Sequence, residues 1–171
     1  GLAGRCIFRI DNAGKGKEME YLGVTMSKNQ IFLNKRVINA DAIITIGQVA
    51  PHYYAGFTGG PEVLLPGCAS EDSIIRNQKL ALNKNASFLK LENNPVHRDS
   101  LDSFELIKRK PFFSIQMVLD KDNNIYNLSC GDFLKSFQEA VKVSKELYAF
   151  PIKEKFDVVI IGGGLGGLPS G

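Results

Sequence analysis

The sequence predicts an α/β fold, a mixed β-sheet with flanking helices, and three observations carry that expectation. Short apolar runs of strand type alternate with segments of helical period, and no repeat or low-complexity block interrupts them. Hydrophobic residues make 44% of the chain and charged residues 23%, a balance that supports a packed core and excludes a wholly disordered chain. At 171 residues the chain is long enough to bury that core without covalent staples.

Other function classes fall to the same reading. No apolar run approaches the roughly 18 residues that span a bilayer, so no membrane partner is expected. The formal charge of +3 is too mild for the concentrated basic face that nucleic-acid binding requires. Cys6, Cys68 and Cys130 are widely spaced and form no CxxC pair. They read as small buried or half-buried thiols in a reducing, cytoplasmic compartment rather than as zinc ligands or a disulfide framework.

Taken in order, Tyr21 to Met26 and Gln30 to Leu33 flank the polar turn Ser27-Lys28-Asn29, the spacing of a hairpin. Ala42 to Ile46 is a continuous apolar run, expected to be a strand buried on both faces. A Gly- and Pro-rich stretch follows from Gly47 to Ser70. Ser70 is then placed to cap a helix over about 71–83, with Glu71 and Asp72 favouring its N-terminus. Ala86 to Leu91 reads as a strand, and 99–109 as a helix facing inward through Leu101, Phe104, Leu106 and Ile107. Phe112 to Leu119 and Ile125 to Leu128 flank a second turn, Asp120 to Asn124. Asp132 caps the clearest helix, whose Phe133, Phe137, Ala140, Val141 and Leu147 recur at helical spacing before Pro151 stops it.

Residues 1–150 are expected to form the main domain and 151–171 a linker with the first strand and turn of a second. The chain opens without an initiator Met or a signal-type segment, and it reads as a piece of a longer protein. In the tail, Phe156 to Ile161 reads as a buried strand. Gly162-Gly-Gly-Leu-Gly-Gly167 then matches G-x-G-x-x-G, half of a dinucleotide-binding fingerprint. The chain holds no crossover helix or acidic ribose ligand after it, so the segment is read mainly as a tight turn. A dinucleotide-dependent redox protein stays as the weaker alternative.

The chemistry concentrates in Ile46-Gly47 to Gly59-Gly60, where an apolar strand gives way to a loop carrying Pro51-His52-Tyr53-Tyr54-Ala55-Gly56-Phe57-Thr58. Glycines there permit close backbone approach, and Tyr53 and Tyr54 offer flat walls with polar tips. An imidazole at the mouth of a sheet can take and give protons near neutral pH, and it can equally be a packed structural group.

This stretch, with Leu64-Leu65-Pro66-Gly67 after it, resembles the nickel-dependent lactate racemase family. So do Tyr21-Leu22-Gly23, Asn39-Ala40-Asp41, Asn94-Pro95-Val96, Asp99, Gly131-Asp132 and Gly166-Gly167-Leu168-Pro169, so that the resemblance covers nearly the whole chain. It implies the N-terminal domain of a two-domain α/β isomerase. The cofactor implied is a nickel-pincer mononucleotide derived from nicotinic acid, which takes a hydride from a 2-hydroxy acid while a histidine removes the hydroxyl proton. His52 matches the later of the family's two catalytic histidines, and the resemblance implies that it acts as general base and acid. Tyr54, Thr58, Gly59, Gly60 and Glu62 match the cofactor-binding stretch.

Two departures stand out. Glu62 occupies the position of the lysine that links the pincer, and a carboxylate cannot form that attachment. Gln78 occupies the nickel-ligand position, where a neutral carboxamide is a much poorer ligand than imidazole, so no metal ligand is expected. The family's first catalytic histidine and carboxylate-gripping Arg would precede Gly1, and its Gln and Lys would follow Gly171. His97 matches no catalytic position and reads as a solvated turn residue. Lys35-Arg36 and Lys108-Arg109-Lys110 read as solvated faces.

Two readings follow. One is a 2-hydroxy acid racemase or epimerase domain, inactive as this chain alone. The other is a cofactor-less paralogue whose cleft binds a small carboxylate or a protein partner. The expected partner is a small 2-hydroxy acid or other carboxylate, and oligomeric state is left open.

Overall fold

A computed structural model describes residues 18–149. Cys6, the run Phe156 to Ile161 and the glycine-rich tail lie outside the described residues, as does the boundary near 150.

Strands β1 (Met19–Val24) and β2 (Gln30–Asn34) form the expected antiparallel hairpin, with a bulge between Tyr21 and Gly23. The alternation in β2 sends Ile31 and Leu33 into the core, both fully buried. The Asn34 side chain caps the short helix α1 (Lys35–Asn39) by accepting from the Arg36 amide at 2.9 Å.

The central sheet joins β3 (Ile43–Gln48), β6 (Phe112–Leu119) and β7 (Ile125–Gly131) in the order β3-β6-β7. Strands β3 and β6 run parallel, and β6 and β7 form an antiparallel hairpin, so the sheet is mixed as predicted. Helix α4 (Phe133–Tyr148) covers one face, capped by Asp132, which accepts from the Leu134 and Lys135 amides. Its buried stripe is Phe133, Ser136, Phe137, Ala140 and Ser144, which meets the expected period.

Between β3 and β6 lie the elements that carry the loop chemistry. They are the two-residue strands β4 (Pro51–His52) and β5 (Gly56–Phe57), a 3-10 turn over Gly60–Val63, α2 (Glu71–Lys79) and α3 (Pro95–Glu105). One core cluster gathers Ile31, Leu33, Leu64, Leu65, Phe104, Ile107 and Phe133, with the Phe104 and Phe133 rings stacked at 4.3 Å. A second gathers Val49, Phe57, Val118, Phe137 and Ala140 beneath the loop.

Several expectations are corrected. Strand β3 is not buried on both faces: Ile44 is 70% exposed and Ile46 63%, because α4 covers the opposite face and no described element packs on theirs. Residues 86–91 form no strand. Leu89 sits at φ +60°, which breaks extended pairing, while Leu89 and Leu91 still pack against the second cluster. Helix α2 ends at Lys79 and tightens into a 3-10 turn over Leu80–Leu82. Helix α3 starts at Pro95, four residues before the expected start, because Asn94 caps it and Pro95 fits the first turn. It ends at Glu105, leaving Leu106 38% exposed. Cys68 is half-buried as expected, whereas Cys130 is exposed on β7. Among the described residues, no helix is long and apolar enough to cross a membrane.

Candidate functional site

His52 sits on β4, opposite Gly56 of β5, so a three-residue excursion projects Tyr53 and Tyr54 beside it. The Ala55 amide donates to His52 Nδ1 at 3.2 Å. With Nδ1 accepting, the ring proton of the neutral imidazole sits on Nε2. The Tyr54 ring meets the imidazole edge-on at 4.5 Å. Partial burial lowers the pKa of His52 below 6.5, so the group is neutral at pH 7 and presents Nε2–H as a donor.

Two buried side chains hold this loop in place. Asn94, fully buried, donates from Nδ2 to the carbonyls of Tyr54 at 2.7 Å and Lys90 at 2.8 Å. Its Oδ1 caps α3 by accepting from the Val96 and His97 amides. One side chain therefore ties the His52 excursion to a helix start. Gln116, fully buried on β6, accepts from the Gly60 amide at 3.2 Å and donates to Ser114 Oγ at 2.7 Å.

The other candidate residues have defined places. The Thr58 hydroxyl accepts from the Ala50 amide at 3.0 Å and donates to the Gln48 carbonyl at 2.8 Å, so it staples the loop. Gly59 and Gly60 are buried with φ of +85° and +50°. A Cβ on Gly60 would come within 2.5 Å of the Phe137 ring, so this glycine admits the ring of α4. Glu62 follows on the 3-10 turn, and burial pushes its carboxyl up to about 7.

Gln78 lies apart, exposed on α2, and no hydrogen bond joins it to the His52 loop. Its neighbour Asn77 turns inward and donates to Asp99 Oδ2 at 3.0 Å. His97 is no solvated turn residue: it lies half-buried in the first turn of α3, its ring stacked on Phe137 at 5.9 Å. Burial, reinforced by the Arg98 charge, lowers its pKa to about 4. Lys110 is also more than a solvated charge, since its ammonium donates to the Ala40 carbonyl at 2.7 Å.

Sequence reasoning missed Asn94, Gln116 and Asp99 as organising groups. Asn94-Pro95 was legible as a helix start. Gln116 is a lone carboxamide in a strand that is apolar but for Ser114, a visible anomaly whose partner in the Gly60 amide the sequence does not name.

At the two positions that the resemblance matches to a cofactor-linking lysine and a nickel-ligating histidine, this chain has the Glu62 carboxyl and the exposed Gln78 carboxamide, a donor set that does not suit the implied pincer cofactor. Among the described residues, no three His, Cys, Asp or Glu side chains converge on a metal-sized site.

The family model of the lactate racemase N-terminal domain matches residues 3–89. The chain is 31% identical over 159 residues to lactate racemase from Thermoanaerobacterium thermosaccharolyticum, covering 92% of this chain and 37% of that protein. It is 30% identical over 135 residues to lactate racemase from Lactiplantibacillus plantarum, covering 78% of this chain and 31% of that one. The chain thus spans about a third of the length of these relatives. The lactate racemase apoprotein structure from T. thermosaccharolyticum superposes with a TM-score of 0.72 at 31% identity, over 76% of this chain and 31% of that one. A Thermotoga maritima crystal structure matches with a TM-score of 0.64 at 21% identity, over 76% of this chain and 37% of that one, a likeness of fold. The chain belongs to the lactate racemase family, as a divergent member carrying the α/β fold of its N-terminal domain.

Proposed function

We propose that this chain is a lactate racemase-like domain that binds a small 2-hydroxy acid or related carboxylate at the His52 loop and does not racemise it. The observation that carries the reading is the resting tautomer of His52. With Nδ1 accepting from the Ala55 amide, Nε2–H donates to a ligand oxygen, and removing a hydroxyl proton would first require breaking that bond. Glu62 and Gln78 support the same conclusion, since neither supplies the attachment or the ligand on which the family's hydride transfer depends. Tyr53 and Tyr54 flank the His52 ring, and Asn94 holds the excursion in register.

The test uses the 171-residue chain with D- and L-lactate. Titration followed by NMR should move the His52 ring signals saturably. Chiral analysis after prolonged incubation with nickel should show no interconversion, and elemental analysis no stoichiometric nickel. Sustained turnover, or nickel held in spite of Glu62 and Gln78, would instead establish a rearranged metal site and the racemase reading. Lactate that leaves the His52 signals unmoved would remove the binding role.

A further inference from the structure

A concave site lies where the start of α3 meets α4 and the segment 85–93. It encloses about 700 Å³, within the range of small-molecule sites, and His52 does not line it. Its floor is apolar, formed by Leu91, Leu101, Leu134 and the Phe137 ring. The His97 imidazole lies in the wall, stacked on Phe137, and among the described residues no hydrogen bond engages its ring nitrogens. Carboxamides of Asn85, Asn93 and Gln138 stand around the opening.

The charges narrow the ligand class. An anion finds little here. The Val96 and His97 amides at the start of α3 are already taken by Asn94 Oδ1, and the Arg98 guanidinium is engaged by Asp102 at 2.9 Å. Glu92 adds a negative charge at the opening. With Arg98 as the cationic and Glu92 as the anionic side chain of the lining, the cleft carries no net charge that would favour a cation either. The remaining groups, neutral imidazole and carboxamides, each carry both donor and acceptor capacity above an apolar floor.

We infer that this cleft is a binding site for a small, neutral, planar molecule, a heteroaromatic ring or aromatic amide, whose flat face packs on the apolar floor and whose edge is read by His97 and Gln138. The inference does not depend on the role of His52. The low pKa of His97 agrees with it, since the imidazole stays neutral throughout the physiological range.

The experiment is an NMR titration of the 171-residue chain with adenine and with benzamide, using benzoate as the anionic counterpart. Saturable shifts centred on the His97 and Phe137 rings are expected, with a Kd below about 10 mM for at least one neutral probe and binding of benzoate at least about tenfold weaker. His97→Ala should weaken binding about fivefold or more. Gln138→Ala should do so as well, and it changes an exposed position on α4, so its fold is secure. Three results would overturn the inference: no saturable shift with either neutral probe, benzoate binding as tightly as benzamide, or affinity unchanged in both variants.

Discussion

Glu62 and His97 are displaced from their ordinary pKa values in ways that pull stability in opposite directions. Burial raises the Glu62 carboxyl from 4.5 to about 7, so between those values the folded chain holds a proton that the unfolded chain releases. Its contribution is complete below pH 4.5 and is lost as pH rises through 7. His97 is lowered from 6.5 to about 4, so between those values the unfolded chain binds the extra proton and stability rises with pH. Each amounts to roughly 3 kcal/mol, and over pH 4.5–6.5 the two slopes oppose. Replacing either partner should expose the other. In urea titrations between pH 4.5 and 6.5, Glu62→Gln should give a stability that rises more steeply with pH than that of the parent chain. His97→Phe, which keeps a ring against Phe137, should give one that falls relative to it. Parallel curves for all three proteins would show that neither group is shifted by folding. Residue identity alone is a poor guide to behaviour here: buried Glu62 can carry a proton near neutrality, which no motif comparison reveals.

At the scale of elements, the carboxylate of Asp99 joins three of them. It lies on α3, fully buried, and accepts from the Thr25 hydroxyl and Asn29 Nδ2 of the β1–β2 turn and from Asn77 Nδ2 of α2. Every partner is a donor, so only an acceptor satisfies the position. Asp99→Asn would aim an N–H at one of those donors and should cost about 1–3 kcal/mol. Asp99→Ala removes an acceptor from all three donors, leaving Asn29 Nδ2 and Asn77 Nδ2 with only the Ser73 and Val96 carbonyls, and should cost about 3–5 kcal/mol. Denaturation midpoints would measure both, and a loss under about 0.5 kcal/mol for Asp99→Ala would refute the role. The elements themselves were unevenly legible. Both hairpins and α4 followed from alternation, turn residues and the Asp132 cap, all local signals. The expected strand at 86–91 failed because its two leucines reach the core from an irregular backbone, with Leu89 at positive φ. An apolar run records burial, and burial does not specify conformation.

Across the whole molecule, the sheet carries its polarity in an unusual sense. Under α4 it presents Thr45, Ser114 and Gln116, linked through the Ser114 hydroxyl. On the other face it exposes Ile44, Ile46, Phe113 and Leu128. Polar groups are tolerated beneath the helix because each finds a partner, and Gln116 uses its place there to hold Gly60. The outward isoleucines contribute little to the stability of this chain. Replacing both with threonine, which keeps the β-branched shape, should change unfolding free energy by less than about 1 kcal/mol and lower the binding of hydrophobic dyes. A loss of several kcal/mol would mean that the face is covered in solution.

The sequence by itself determined the α/β class, both hairpins, the capped α4 and the family, because these rest on period, turn chemistry and the motif from Ile46 to Gly67. It also gave the identities of Glu62 and Gln78, the two residues at which the resemblance implies a departure, since residue identity needs no coordinates. Tertiary structure alone decided which ring nitrogen of His52 accepts and which carries the proton, because that depends on a backbone amide three residues away. It likewise decided the pKa values of Glu62 and His97, the three-way bonding of Asp99 and the cleft at the start of α3. Those are properties of groups brought together from distant parts of the chain, where desolvation and hydrogen-bond geometry, and not residue type, set the chemistry.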